Sequence, residues 1–190
     1  MDILQQIIAA KQKEVAEKKE YIDNEFLHFL SDDLERNCYS LKERLLAPGS
    51  TGIIAEFKRK SPSKGWIHEH IHVSEVVPDY EWNHAAGISL LTDKEFFGGD
   101  IEELKIARLE VKIPLLRKDF IIDEYQIVEA RAMGADVILL IAACLSPERV
   151  KELAVFAKAL QLEVLLEIHN EDELQHICNE TEIVGINNRD

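Results

Sequence analysis

Six short apolar runs, at 53–58, 88–93, 113–118, 137–143, 164–169 and 183–188, recur along this chain with amphipathic stretches between them. The segments Ile101 to Leu109, Glu124 to Met133 and Pro147 to Leu160 carry apolar residues at helical spacing. Strands alternating with helices make βαβ units, and so a parallel sheet with helices outside it. The runs are apolar on both faces, as in a barrel whose strands pack the centre on one side and helices on the other. The punctuation agrees. Gly134 stands where the second helix needs a C-cap, and Ser146-Pro147 supply an N-cap and a first-turn proline for the third. A doubly wound open sheet would usually show a glycine-rich turn after its first strand. Here that turn reads Ser61-Pro62-Ser63-Lys64-Gly65 instead.

Residues 1–47 have a helical pattern. Ile3, Leu4, Ile7, Ile8 and Val15 form one stripe, and Phe26, Leu27, Leu30 and Leu34 a second. Pro48-Gly49-Ser50 ends the pattern, so the expected organisation is a helical extension over 1–47 and an α/β domain over 48–190. The formal net charge is −14, which disfavours nucleic acid and anionic membrane surfaces as partners. Cys38, Cys144 and Cys178 are an odd set without CxxC spacing and read as free thiols of a reducing compartment. The start lacks a basic segment followed by an apolar core, and no apolar stretch approaches the roughly 20 residues of a bilayer helix. A cytoplasmic protein is expected.

The strand ends carry the chemistry. In Ile53-Ile54-Ala55-Glu56-Phe57-Lys58, Glu56 and Lys58 are two residues apart and so share a strand face. Leu116-Arg117-Lys118, Leu165-Leu166-Glu167 and Gly185-Ile186-Asn187-Asn188-Arg189 repeat the pattern of apolar start and polar finish. Charges buried at such positions are paired, placed at a rim, or functional. Taken alone, Glu56 and Lys58 fit a structural ion pair as well as a catalytic one. Four polar strand ends together describe one site at one end of a parallel sheet. His68, His70 and His72 alternate in a way that suggests metal ligation, but they follow a Pro/Ser/Lys/Gly loop and are read as a solvated surface, with no metal expected.

The run Ile54-Ala55-Glu56-Phe57-Lys58-Arg59-Lys60-Ser61-Pro62-Ser63-Lys64-Gly65 closely resembles the signature of indole-3-glycerol phosphate synthases. Leu116-Arg117-Lys118-Asp119-Phe120, Leu166-Glu167-Ile168-His169 and Gly185-Ile186-Asn187-Asn188-Arg189-Asp190 resemble it too, in the family's order. The resemblance implies a (β/α)8 TIM barrel with an N-terminal helical extension, here truncated after the sixth strand. It implies a carbon–carbon lyase, a carboxy-lyase of tryptophan biosynthesis. The reaction closes the indole ring of 1-(2-carboxyphenylamino)-1-deoxyribulose 5-phosphate, a small anionic substrate, without a cofactor. By the same resemblance Lys118 is the general acid, Lys58 a second catalytic lysine, and Glu56, Glu167 and Asn187 complete the catalytic set. Arg189 and Ser61 are implied substrate contacts, and Phe97 and Phe120 the aromatics against the anthranilate ring. The basic residues Lys58, Arg59, Lys60 and Lys64 would attract a doubly anionic substrate.

The phosphate-binding loops of such barrels follow strands seven and eight, which leaves activity of this length in doubt and its open sheet edges available for self-association. Two other readings remain. A Schiff-base aldolase on a related phosphate-binding barrel could use Lys118 as nucleophile, and an inactive partial barrel could serve only as an assembly fragment.

Overall fold

The computed structural model of the chain describes residues 3–21 and 36–188. In chain order the elements are α1 (Ile3–Tyr21), α2 (Leu41–Leu46), β1 (Ile54–Phe57), β2 (Lys60–Ser61), β3 (Gly65–Trp66), α3 (Val73–Trp82), β4 (Gly87–Leu91), α4 (Lys94–Phe97) and α5 (Glu102–Glu110). There follow β5 (Leu115–Lys118), α6 (Glu124–Ala132), β6 (Val137–Ile141), α7 (Pro147–Ala159), β7 (Glu163–Ile168) and β8 (Ile183–Ile186). Short 3-10 turns lie at Ala142–Cys144 and Glu171–His176. No described helix is long and apolar enough to cross a membrane.

The chain forms two compact units. One comprises Asn37–Asp119 with Met133–Val137; the other comprises the described residues of Met1–Arg36, with Phe120–Ala132 and Ile138–Asp190. In the first, β1, β4 and β5 run parallel in that order, with Glu56 opposite Ser89 and Leu91 opposite Lys118. Every residue of β4 is buried, as expected of a strand covered on both faces. Helix α3 packs against α5. Leu41 of α2 is buried against Gly87, where an added Cβ would stand 2.6 Å from its Cδ1. Asp136, fully buried, accepts from Arg108 Nη1 at 2.7 Å, Leu115 N at 2.8 Å and Tyr39 N at 2.9 Å. That set of donors offsets the desolvation of its charge.

In the second unit β7 and β8 are parallel, with Glu167 opposite Gly185. Tyr125 and Val128 of α6 pack against Phe156 and Leu160 at the end of α7. Helix α1 buries Ile7 and Val15 and is tied to α6 and the turn before it by Lys18–Glu129 at 2.9 Å and Lys19–Asp123 at 3.0 Å. Arg149 of α7 grips Glu124 with both terminal nitrogens, at 2.6 and 2.7 Å.

All six expected strands are present, with ends moved by one or two residues; β6 stops at Ile141 because Ala142–Cys144 turn as a 3-10 helix. Ser146 caps α7 by accepting from Arg149 N at 3.2 Å, and Gly134 takes a φ of 92°, both as expected. Helix α3 was not expected. Pro78 lies inside it and reads locally as a breaker, yet it costs only one i→i−4 bond in a helix whose Val73 and Val77 are buried. Within the stretch 1–47, read as helical in pattern, α1 and α2 are helices and a non-helical segment precedes α2. Residues 36–40 are not helical, because Tyr39 N donates to the buried Asp136 and Ser40 caps α2 by accepting from Glu43 N. The second apolar stripe, Phe26 to Leu34, lies outside the described residues.

Gly99 tests the packing most sharply, since a Cβ there would sit 1.9 Å from Leu91 O, a backbone atom that cannot rotate away. Gly99→Ala should lower stability by about 2 kcal/mol or more. Chemical unfolding measures this, and a midpoint equal to that of the parent would refute the close approach.

Candidate active site

Parallel register places Glu56, Ser89 and Leu116 side by side, and Leu91 beside Lys118, on one face of the first unit's strands. Lys58, two residues past Glu56, belongs to that face. The geometry that results is a carboxylate shared by two ammonium groups. Glu56 Oε1 accepts from Lys58 Nζ at 2.6 Å, and Oε2 accepts from Lys118 Nζ at 2.8 Å. Burial pushes the Glu56 carboxyl up, but the hydrogen bonds and charges of Lys118 and Lys58 outweigh it and hold the group below the usual carboxylate value. Glu56 is therefore ionised at neutral pH, and the trio carries one surplus positive charge. Tyr80 of α3 fixes the strand here by donating to Glu56 O at 3.2 Å. Burial first, and then the Glu56 charge, push its phenol up, so it stays a donor.

The residues after β1 divide their work. Arg59 donates to Gly98 O from Nε and Nη2, at 3.0 and 2.6 Å, and pairs with Glu103 at 2.9 Å. Lys60 donates to Glu95 O at 2.7 Å and lies 5.6 Å over the Trp66 ring. Two members of the basic run thus fasten the β2–β3 hairpin to the segment after β4. Ser61 lies on β2, half-buried, and its Oγ accepts from Lys64 N at 3.3 Å within the hairpin turn. Phe97 ends α4 half-buried, close to this fastening at Gly98. His68, His70 and His72 lie in a loop and are exposed, so the alternation that would put them on one strand face does not apply.

The second unit holds the other expected pair. Asn187 Nδ2 donates to Glu167 Oε1 at 3.0 Å, and Asn187 N extends the ladder to Ile168 O at 2.9 Å. Gly185 lies opposite Glu167, and a Cβ there would stand 3.1 Å from Leu165 Cδ2. His169 Nε2 lies 3.7 Å from Glu167 Oε1. Cys144 is pushed up to about 12, by burial first and then by Glu167 and Glu173, so its thiol stays protonated. Phe120 is half-buried at the start of a turn held by Gln126, which donates to Phe120 O at 2.9 Å and accepts from Ile122 N and Asp123 N at 2.8 and 3.2 Å. Arg189 lies outside the described residues. A cavity of about 460 Å³ in this unit is lined by Pro147, Lys151, His176 and Cys178 among others, and by none of the expected site residues.

Tyr80 gave no signal along the chain, because it acts through the backbone carbonyl of Glu56, which leaves no mark in a sequence. Arg59 was expected to attract the substrate, and it is instead taken up by Gly98 O and Glu103.

A family model described as Indole-3-glycerol phosphate synthase matches residues 4–190. A protein of that name from Bacteroides thetaiotaomicron is 49% identical over 99% of this chain and 72% of its own length. Another from Burkholderia multivorans is 44% identical over 99% of this chain and 73% of its own. A third, from Leptothrix cholodnii, is 42% identical with the same coverage of 99% and 73%.

The depressed Glu56 carboxyl has a consequence for stability. A group whose folded pKa lies below its unfolded value stabilises the protein above the unfolded value, and that contribution is lost as pH falls through the folded one. The stability difference between the parent and Glu56→Gln should therefore be full near neutrality and shrink below about pH 4. Denaturant titrations across that range measure it, and a difference that grows on acidification would contradict the lysine pairing.

Proposed function

The chain belongs to the indole-3-glycerol phosphate synthase family, and on that premise we propose that Lys118, Lys58, Glu56, Glu167 and Asn187 are its catalytic set. Its fold is the (β/α)8 barrel with a preceding helical extension, of which this chain carries six barrel strands. Its reaction is the closure of 1-(2-carboxyphenylamino)-1-deoxyribulose 5-phosphate to indole-3-glycerol phosphate in tryptophan biosynthesis, with release of carbon dioxide and water. It is a carbon–carbon lyase acting on a small molecule.

The observation that carries the residue assignment is Glu56 bridging Lys58 and Lys118. Ring closure needs the ketone oxygen protonated while the ring carbon bearing the carboxylate attacks the ketone carbon, which leaves that oxygen as a hydroxyl. Carbon dioxide then leaves from the ring carbon. Loss of the resulting hydroxyl as water needs a second acid, and removal of the remaining ring proton needs a base. An ammonium has three donors. Among the described residues Lys118 gives one to Glu56, which leaves donors for a substrate oxygen. Lys118 serves as the first acid, by family analogy. Lys58 is the nearest second acid, held by the same carboxylate. Glu56 and Glu167 are the carboxylates available as bases, the second oriented by Asn187. The surplus positive charge of the Glu56 trio favours the substrate carboxylate, against the net charge of −14 on the whole chain. Arg189 and Ser61 are assigned to holding the substrate, and Phe97 and Phe120 to its anthranilate ring. The acidic composition and the three free thiols support the cytoplasm as the compartment and argue against nucleic acid as a partner.

Lys118→Ala should lower kcat by about 10²-fold to 10⁴-fold, the usual contribution of a positioned acid. Indole fluorescence follows turnover in the protein as encoded. A near-normal rate would remove Lys118 from the role of acid.

A further inference from the structure

We propose that Thr92, Arg117 and Asp119 are positioning residues: a buried clamp that fixes the backbone of Lys118 and so aims its ammonium. The inference rests on the assignment of Lys118 as acid and deepens it.

Strand alternation sends Arg117 and Asp119 to the face opposite Lys118. On that face they are buried, with side chains 1% exposed, and their charges meet at 3.0 Å between Arg117 Nη2 and Asp119 Oδ2. Thr92, just past the end of β4, closes the arrangement. Its hydroxyl donates to Asp119 Oδ2 at 2.7 Å and accepts from Arg117 Nε at 3.3 Å. Its backbone N–H donates to Lys118 O at 3.2 Å. One residue therefore engages three consecutive positions of the neighbouring strand end, with the lysine in the middle.

The cost of this arrangement points to its use. A buried ion pair contributes little over packed apolar side chains, since desolvation of both charges offsets their attraction. What it supplies instead is direction, because each bond is satisfied at one geometry only. Lys118 is a long side chain with four rotatable bonds, and Glu56 restrains it only at its tip. The clamp restrains its root. With root and tip both held, the ammonium has few places to go. Displacement of an acid by about 1 Å costs roughly 10²-fold in rate.

The decisive variant is Thr92→Val, which keeps the shape and the backbone N–H but removes both hydroxyl bonds. A folded Thr92→Val protein should show kcat lowered by about 10-fold to 10²-fold, with KM little changed, because the substrate contacts are untouched. Thr92→Ser should restore kcat. Thr92→Ala is read in the same way where the valine variant does not fold. Parental kcat in the folded variant, beside an inactive Lys118→Ala, would overturn the clamp and leave Lys118 as the acid. A rise in KM with kcat unchanged would overturn it equally, since that marks lost binding rather than lost aim. An active Lys118→Ala would instead bring down the assignment on which the inference stands.

Discussion

A single carboxylate with an ammonium on each oxygen organises the first unit's strand ends. Glu56 stands 2.6 Å from Lys58 and 2.8 Å from Lys118, and the two ammonium groups outweigh the cost of burying its charge. The pairing explains why the strands end as they do. β1 and β5 each stay apolar until their last turn of sequence, then place a charge where the other strand can neutralise it. It also explains why Glu56 is ionised, which limits it to holding charge or taking a proton.

Around that interaction the fold spends its polar groups on the backbone. Tyr80 secures Glu56 O, Thr92 secures Lys118 O, and Arg59 secures Gly98 O. Gly99 lets the chain turn back close to Leu91 O. The second unit follows the same logic at smaller scale, with Asn187 holding Glu167 and Gln126 holding the turn at Phe120. In both units the groups suited to chemistry sit on strand ends, and the groups that steady them come from neighbouring strand ends, helices and turns.

Much of this was legible in the chain. Period-two alternation put Glu56 and Lys58 on one face, and Ser146-Pro147 and Gly134 marked helix ends, because those signals depend only on neighbouring residues. The family motifs pointed to Lys118 and Glu167. What escaped depends on partners far away or on backbone atoms. The pairing of Lys58 with Glu56 could be read from their spacing, but nothing in Arg59-Lys60 says that both bond carbonyl oxygens of the segment after β4. Helix α3 was not among the stretches named from the sequence; it holds Pro78 in its interior while burying Val73 and Val77. The histidines at 68, 70 and 72 had the spacing of a shared face without a strand to create one.

Carbon-13 NMR titration of the Glu56 side-chain carboxyl tests the central interaction most directly. Its midpoint should fall below that of an ordinary glutamate, and should rise when either Lys58 or Lys118 is replaced by methionine. An ordinary midpoint that neither replacement moves would contradict a carboxylate shared between two lysines.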